Sequence, residues 1–395
     1  MPIKSVAIVG AGIAGLTAAL SFARHGIDCD IIEQAGELAE VGAGLQLSPN
    51  AARILATLGA LPDIEARWTE PVSVDLASGK SLATLLSLPM GAVARTRWGA
   101  PYGVLHRSTL QNALLQAVTS NPLCRLHLGK RIENATVDVI AATTFRDHDL
   151  IVGADGVWSA ARFAVPSAPT ATFSGNVAWR FTVAADAVPS AVNKRAVTAY
   201  LGSGGHIVAY PLKEVGGFNI VAIALGADPG ATWRAESSGR QKAMLLEQFR
   251  GFNPDIVRLL DSSENPTFWP LYQAGPGPGR WHNGRDTVLI GDAAHAMMPF
   301  AAQGAAMAIE DAFELAGTMA GSDSEKPLPV PQALATFEAL RLPRIEKARK
   351  RASLNRFAYH ARGPVRIARD LVFSTRPTEA FLKDFDWLYG YRAKG

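Results

Sequence analysis

The sequence predicts an α/β fold in which a parallel sheet with flanking helices carries an inserted antiparallel sheet and ends in a run of helices. Three observations predict it. The chain opens with a buried strand, a glycine-rich turn and a helix, the pattern of a parallel βαβ unit. Between Phe173 and Leu225 the apolar period changes to two, which is typical of antiparallel strands. From Pro329 onward the pattern is mostly helical.

The N-terminal pattern predicts a Rossmann-like dinucleotide site. The apolar run Val6–Val9 is followed directly by Gly10-Ala11-Gly12-Ile13-Ala14-Gly15. In such a pattern the first glycine permits the turn, the second admits a pyrophosphate to the backbone, and the third lets the helix pack on the strand. The phosphates are expected at the N-terminus of the following helix. An ordinary glycine-rich turn is the alternative interpretation.

An acidic residue closes the second predicted strand, Ile27–Glu33. Glu33 lies about 20 residues beyond the glycines, where a carboxylate hydrogen-bonds the ribose in dinucleotide-binding folds. Because a carboxylate would repel a 2′-phosphate, Glu33 predicts a free ribose hydroxyl. Gln34, the next residue, is assigned with it to the cofactor-binding set.

Composition narrows the class of protein. The 395 residues, 48% of them apolar, suffice for two or three globular domains. The net charge of +4 is mild, so no nucleic-acid partner is expected, and the basic run Arg341–Arg351 is interpreted as a solvated helix face. The chain leads directly into its first strand and contains no apolar run of membrane-spanning length. Two cysteines and no zinc-like spacing complete the expectation of a cytoplasmic protein with no metal site and no membrane partner.

The elements between these landmarks follow from caps, turns and apolar runs. Ser48 is a candidate N-cap for a helix that stops at Gly59, and a hairpin is expected within Pro71–Leu88. The capping-box pattern predicts a helix over Ser108–Val118, with Arg107 just before it. Further predictions are buried strands at Asp149–Gly156 and Thr287–Asp292, helices at Gln241–Phe249, Pro254–Leu260 and from Gln303-Gly304 to Ala320, and a linker at Ala274–Gly279.

Three strand ends in this order identify a family. Gly10–Gly15, Asp155-Gly156 and Gly291-Asp292 each follow a buried strand, and ligands of open α/β sheets bind at the carboxyl ends of strands. Their motifs resemble, over nearly the whole chain, the flavoprotein aromatic hydroxylases of the para-hydroxybenzoate hydroxylase type, which are single-component FAD monooxygenases. The segments Val41–Asn50 and Asp386–Tyr391 resemble the branch that includes salicylate 1-hydroxylase, 3-hydroxybenzoate 6-hydroxylase and 6-hydroxynicotinate 3-monooxygenase.

The resemblance assigns roles segment by segment. Asp155–Arg162 resembles the D-G-x-x-S-x-x-R segment that contacts the FAD pyrophosphate, and Gly291–His295 resembles the G-D-A-A-H segment whose Asp binds the ribityl chain. Pro299–Ala305 resembles the turn beside the flavin ring, and Arg107 the arginine that also holds FAD. The glycine pattern and the resemblance together give this FAD-binding set: Gly10, Gly12, Ala14, Gly15, Glu33, Gln34, Arg107, Asp155, Gly156, Asp292, Pro299, Gln303, Gly304 and Ala305.

The resemblance also implies a domain division and an activity. Residues 1–70, 96–165 and 281–395 would form a discontinuous Rossmann-like FAD-binding domain with C-terminal helices, and residues 71–95 and 166–280 the inserted antiparallel substrate domain. The short, poorly patterned stretch Lys130–His148 departs from the family and is expected to be a trimmed excursion from the sheet. The implied activity is NADH- or NADPH-dependent hydroxylation of a small phenolic or hydroxypyridine carboxylate by O2 through a C4a-hydroperoxyflavin.

The sequence is compatible with two further functions. The fold could act on a bulkier polycyclic or antibiotic substrate, or the chain could be a flavin redox protein that does not oxygenate. The choice between NADH and NADPH and that between a monomer and a homodimer are also open.

The candidate catalytic residues lie on one predicted strand. His206 and Tyr210 share a strand face and are expected to project together, roughly 7 Å apart. His206 would serve as base or proton relay, because histidine titrates near neutral pH. The alternative is a solvent-facing histidine and a packing tyrosine. Arg180 could face a substrate carboxylate but is interpreted as part of a surface ion pair. The pocket is expected to be walled by Met297, Met298, Pro299 and Phe300, with core packing as the alternative for the methionines.

Overall fold

A computed structural model describes residues 3–38, 44–227, 239–263, 266–275, 279–321 and 327–395. Fourteen strands lie within these ranges: β1 (Ser5–Val9), β2 (Asp28–Ile32), β3 (Gly44–Leu47), β4 (Ser73–Ser78), β5 (Thr84–Pro89), β6 (Gly103–His106), β7 (Cys124–His127), β8 (Leu150–Gly153), β9 (Ala171–Ala184), β10 (Ala196–Gly202), β11 (Gly205–Leu212), β12 (Gly217–Leu225), β13 (Thr267–Ala274) and β14 (Thr287–Leu289).

Thirteen α-helices lie within the same ranges: α1 (Ile13–Arg24), α2 (Pro49–Thr57), α3 (Leu61–Glu65), α4 (Ala92–Trp98), α5 (Arg107–Thr119), α6 (Val137–Thr144), α7 (Gly239–Phe249), α8 (Pro254–Asp261), α9 (Asp292–His295), α10 (Gly304–Ala320), α11 (Val330–Tyr359), α12 (Gly363–Thr375) and α13 (Thr378–Tyr389). None of the described helices is both long enough and apolar enough to cross a membrane.

The N-terminal strand stands at the centre of a five-stranded parallel sheet. The strand order is β14-β8-β1-β2-β7, and every pairing is parallel. All five residues of β1 are buried, as expected for a strand covered on both faces. Helix α1 packs against α10 on this sheet. The predicted α/β class and its buried strands are confirmed.

The second large sheet has seven strands in the order β13-β9-β12-β11-β10-β4-β5. Its pairings are antiparallel except between β10 and β4. On one face Ile207 and Ile220 pack with Phe249 and other residues of α7 and α8. The alternate residues of the same strands point to the opposite face, where Ile223 packs with Phe300. The predicted antiparallel sheet is confirmed. Its second face packs against the turn that contains Phe300 and against the C-terminal helices.

Two local predictions are wrong, and a third, the N-cap position of Ser48, is confirmed without the expected side-chain contact. The Lys130–His148 stretch contains helix α6 instead of an excursion of strands. Helix α5 begins at Arg107, with His106 in the N-cap position, so Ser108 lies inside the helix and its hydroxyl contacts the His106 ring. Ser48 does hold the N-cap position of α2, but its hydroxyl bonds to Asn50 instead of capping the backbone.

Two predicted segments fall partly outside the described residues. Residues 41–43 precede β3, and residues 276–278 lie in the Gly/Pro-rich stretch. Strand β13, which ends at Ala274, was not predicted.

The basic run Arg341–Arg351 is not simply a solvated helix face, because Arg341 is fully buried. Its Nε donates to Asp311 Oδ1 at 2.8 Å, and another guanidinium nitrogen donates to Glu310 Oε2 at 2.8 Å. Arg344 adds two hydrogen bonds of 2.6 Å to Glu310. These residues form a buried ion network that joins α10 to α11.

The network also holds the turn that follows β14. Asp311 Oδ2 accepts a hydrogen bond from the backbone N–H of Gly291 at 3.0 Å and contacts His295 Nε2. Burial alone would raise the pKa of Asp311, but the charges of His295 and Arg341 lower it to about 2. The ionised carboxylate therefore fixes Gly291 and Asp292 relative to two helices.

Replacing Arg341 should destabilise the protein strongly. Arg341→Ala removes the guanidinium partner of the buried Asp311 and one of two guanidinium partners of Glu310, and we expect the free energy of unfolding to fall by about 3–5 kcal/mol. Chemical denaturation followed by tryptophan fluorescence measures the change. The control is Arg250→Ala, which removes an exposed ion pair with Glu247 and should cost less than about 1 kcal/mol. Equal, small effects in both variants would contradict the proposed role of the network.

Candidate functional site

The carboxyl ends of three neighbouring parallel strands bring the predicted motifs together. Strands β1, β8 and β14 lie side by side, and the turns after them are in contact. A Cβ added at Gly10 would lie 2.6 Å from the carbonyl oxygen of Ala154, and one added at Gly291 would lie 3.2 Å from the Cβ of Ala14. The structure thus joins sequence segments that are more than 130 residues apart.

The three glycines of the N-terminal pattern have different surroundings. Gly10 has φ +104°, a conformation that favours glycine, and a Cβ on Gly15 would lie 1.9 Å from the carbonyl oxygen of Gly10. Gly12, the N-cap residue of α1, has no atom within 4 Å of the position of a Cβ. Gly10 and Gly15 are therefore required by the fold, whereas Gly12 faces open space at the N-terminus of a helix.

The carboxylate of Glu33 is held beside this turn. Its Oε2 accepts a hydrogen bond from the backbone N–H of Ala11 at 2.9 Å, and its Oε1 accepts one from Ala35 at 2.9 Å. Each carboxylate oxygen keeps a further lone pair for another donor. Gln34, next in the chain, is exposed.

Two buried acceptor atoms near the turns have no hydrogen-bond partner among the described residues. Gln111 donates through Nε2 to the carbonyl of Ala11 at 3.1 Å, while its Oε1 is buried and unsatisfied. Asp155 accepts through Oδ2 from the backbone of Ala160 and Ala161, while its Oδ1 is likewise unsatisfied. Buried acceptors of this kind favour a ligand that carries hydroxyl donors.

Sequence reasoning missed Gln111. The available signal was its spacing from Arg107, because residues i and i+4 share a helix face. Arg107 is half-buried at the start of α5.

Arg162 joins its own segment, Asp155–Arg162, to the segment Gly291–His295 by hydrogen bonds. Its Nε donates to the carbonyl of Ala293 and another guanidinium nitrogen to the carbonyl of Asp292, both at 2.7 Å. These bonds hold the backbone of Asp292 in place at the start of the short helix α9. The carboxylate of Asp292 is half-buried and makes no hydrogen bond to any residue that the structure describes.

The turn before α10 forms a second open helix end. Residues Pro299–Ala301 make one turn of 3₁₀-helix, and Ala302 then adopts φ +51°. Gln303 is buried, and its Nε2 donates to Ser48 Oγ at 3.1 Å. Gly304 has no atom within 4 Å of a Cβ position, and the half-buried Ala305 follows it. Open space therefore lies at the positive end of a 17-residue helix.

The inner face of the antiparallel sheet carries the residues predicted for the substrate. Tyr210 pairs with Asn219 across β11 and β12, and His206 pairs with Ile223. His206 and Tyr210 are on the same face, as predicted, but they are four residues apart. At about 3.3 Å per residue this spacing is about 13 Å, so the expected separation of 7 Å is wrong.

Two donor atoms on this face lack partners among the described residues, one on Asn219, beside Tyr210, and one on Arg180, in register with Val208 between Tyr210 and His206. Asn219 Oδ1 accepts from the backbone of Gly44 at 2.9 Å, but its Nδ2 is buried and unsatisfied, as is Nε of Arg180. The Arg180 guanidinium lies 5.4 Å from the centre of the Trp269 ring. The interpretation of Arg180 as a surface ion pair is therefore wrong. Burial raises the pKa of Tyr210, so its phenol also remains a donor.

At the other end of the face from Tyr210, His206 is enclosed by rings. It is 1% exposed, which excludes a solvent-facing histidine. Its ring centre lies 5.1 Å from that of Phe300 and 5.2 Å from that of Tyr359. Burial, with a further contribution from His360, lowers the pKa of His206 well below its usual value, so the imidazole is neutral near pH 7. Met298 is buried in the same apolar cluster as Phe300.

This chain resembles known proteins over nearly its whole length. A family model described as an FAD binding domain matches residues 4–352. The chain is 36% identical to 3-amino-4-hydroxybenzoate 2-monooxygenase PtnB3 of Streptomyces platensis, over 98% of this chain and 96% of that protein. It is 34% identical to 3-hydroxybenzoate 6-hydroxylase 1 of Aquipseudomonas alcaligenes, over 98% of each chain.

A solved structure shares the fold. A salicylate hydroxylase substrate complex matches with a TM-score of 0.80 and 22% identity, over 99% of this chain and 96% of that one. The motifs, the two sheets and these matches agree. The chain belongs to the FAD-binding domain family, and the predicted membership among the FAD-dependent aromatic monooxygenases is confirmed.

Proposed function

We propose that this protein uses NADH or NADPH and O2 to hydroxylate a small phenol that carries a carboxylate. We infer the substrate class from two buried donors on the inner face of the antiparallel sheet. Arg180 Nε and Asn219 Nδ2 have no hydrogen-bond partner among the described residues. Planar guanidinium and amide donors match the geometry of a carboxylate. Two full-length relatives are named as monooxygenases of hydroxybenzoates, which supports the same class.

The residues at the strand ends fit FAD. The open space at Gly12 admits a pyrophosphate to the N-terminus of α1. The unsatisfied oxygens of Asp155 and Gln111 suit the hydroxyl groups of ribose and ribityl chains. The proposed cofactor-binding residues remain Gly10, Gly12, Ala14, Gly15, Glu33, Gln34, Arg107, Asp155, Gly156, Asp292, Pro299, Gln303, Gly304 and Ala305, and Gln111 is added to them.

The flavin ring is assigned to the turn at Pro299–Gly304. When bound, FAD supplies the redox chemistry that activates oxygen for transfer to the aromatic ring. The first turn of α10, at Gly304 and Ala305, would stabilise negative charge on a reduced ring, because a helix N-terminus is positive.

The protein's own side chains position the substrate and handle its proton. Arg180, Asn219 and Tyr210 would bind the carboxylate, and His206, at the other end of the same face, would accept the phenol proton through its neutral imidazole. Loss of that proton makes the ring more electron-rich and so more reactive towards an electrophilic oxygen. Met298 and Phe300 would exclude water from this end.

Several finer assignments stay predictions. They are the choice between NADH and NADPH, a monomer or homodimer, the cytoplasmic location and the domain boundaries at residues 70, 95, 165 and 280.

A substrate screen tests the function directly. The purified protein should carry FAD, and hydroxybenzoates and hydroxypyridine carboxylates are added with NADH or NADPH and O2. We expect at least one hydroxybenzoate to stimulate nicotinamide oxidation and to yield a product 16 mass units heavier, the mass of one oxygen atom. Stimulated oxidation with no hydroxylated product would favour a flavin redox protein, and turnover of polycyclic phenols alone would favour a bulkier substrate.

Gly12 and Gly15 provide a matched pair for the cofactor site. Gly12→Ala adds a methyl group to open space, so we expect unchanged stability without FAD but FAD affinity lowered at least tenfold. Gly15→Ala forces a clash with the Gly10 carbonyl and should destabilise the fold itself. Thermal unfolding of the apoprotein and fluorescence titration with FAD separate the two effects. Unchanged FAD affinity in Gly12→Ala would contradict the assignment.

Arg180→Gln tests the carboxylate site. A hydrogen bond to a charged group contributes about 1.5–3 kcal/mol, so KM for a hydroxybenzoate should rise ~10- to 100-fold. KM for the corresponding phenol without a carboxylate should change little, and Arg195→Gln, an exposed site in the same sheet region, is the control. An equal rise in KM for both substrates would refute a specific carboxylate contact.

A further inference from the structure

We propose that His360 is the outer member of a two-imidazole proton relay that connects His206 with a surface cavity. The inference rests on the proposed function, because it takes His206 as the group that receives the phenol proton. It adds a route for that proton and a residue that no sequence pattern indicated.

His206 cannot release a proton to solvent by itself. Its side chain lies between Phe300 and Tyr359 and is 1% exposed. A charged imidazolium in this apolar setting is unfavourable, so a proton that arrives on the ring must be passed on.

Within the part of the chain that the structure describes, the His206 ring has one hydrogen-bond partner, His360. Nδ1 of His206 lies 3.0 Å from Nε2 of His360, within hydrogen-bond distance. His360 is half-buried, and it lines a surface cavity of about 350 Å³ together with Arg356, Phe357 and Arg362. One nitrogen–nitrogen step therefore separates the enclosed ring from a residue in contact with water.

The backbone holds His360 at this point. It follows the last residue of α11, and its N–H donates to the carbonyl of Arg356 at 3.1 Å. Its own carbonyl accepts from Gly204 at 3.4 Å, in the turn that leads into the strand of His206. Gly204 has φ +86°, and a Cβ there would lie 2.2 Å from an Arg362 nitrogen. The turn and the helix end are thus packed tightly beside the two rings.

The surroundings favour transfer over storage of the proton. Among the residues that the structure describes, the groups that face the pair are Arg356, Arg362, Tyr359 and Phe300, and none of these is a carboxylate that would stabilise an imidazolium. Burial and then the charges of Arg356 and Arg362 lower the pKa of His360 to about 4. Both rings are therefore neutral at pH 7.

The transfer balances without a net change of charge on the rings. The phenol proton binds to Nε2 of His206, the proton on its Nδ1 moves to Nε2 of His360, and the proton on Nδ1 of His360 leaves to water in the cavity. Each ring ends in its other neutral tautomer, and a proton that returns along the same path resets the pair.

Two variants of His360 test the relay. His360→Gln keeps a side chain of similar reach but cannot pass a proton between two ring nitrogens, so proton release, read with an indicator dye in stopped flow, should slow ~100-fold or more. The hydroxylation rate should fall with it, while FAD content and KM stay near the wild-type values. His360→Ala should lose activity similarly and regain it when imidazole is added, because the surface cavity admits a small base.

The control variant is Phe357→Ala, which widens the same cavity without altering the two histidines, and imidazole should not change its rate. Wild-type proton release in His360→Gln, or a loss in His360→Ala that imidazole fails to restore although FAD is retained, would overturn the relay. Either outcome leaves the proposed hydroxylation intact if the wild type forms product. A wild type that forms no product overturns both proposals.

Discussion

The carboxylate of Asp311 is the constraint on which the cofactor half of the molecule depends. It is completely buried, so its charge must be matched within the fold, and three groups match it: the guanidinium of Arg341, the ring of His295 and the backbone N–H of Gly291. These groups come from α11, α9 and the turn after β14. One charge therefore fixes the position of Asp292 relative to the helix that begins at Gly304, and these are the two places assigned to the ribityl chain and the flavin ring.

The antiparallel sheet packs against different parts of the protein on its two faces. Alternate residues pack on α7 and α8, and the residues between them face the turn that contains Phe300. A one-residue slip of β11 would exchange these faces and remove both His206 and Tyr210 from the inner side. Ile207 and Ala209, buried on the outer face, therefore help to hold the proposed substrate face in register.

The sequence was informative where the physics is local. The clash at Gly15, the buried strand β1 and the period of two in β11 and β12 depend on near neighbours, and the corresponding predictions were confirmed. It was misleading where the partner is distant. Arg341 lies in a basic run that is typical of a solvated helix face. The carboxylates that bind it are 30 and 31 residues away in the chain, and only the fold brings them together. Likewise, nothing near Arg180 in sequence indicates Trp269, and nothing near His206 indicates His360.

The two ends of the proposed site therefore differ in how strongly the fold restricts their residues. The cofactor end is built from glycines and strand ends whose geometry leaves little choice of residue, so it can be recognised from motifs alone. The proposed substrate end is assembled from β9, β11, β12 and the end of α11, which are distant in sequence and contribute individual side chains instead of one motif. Substrate choice should therefore depend on residues such as Arg180 and Asn219, and the route of the proton on His360, while the glycine turn remains the same among enzymes that act on different phenols.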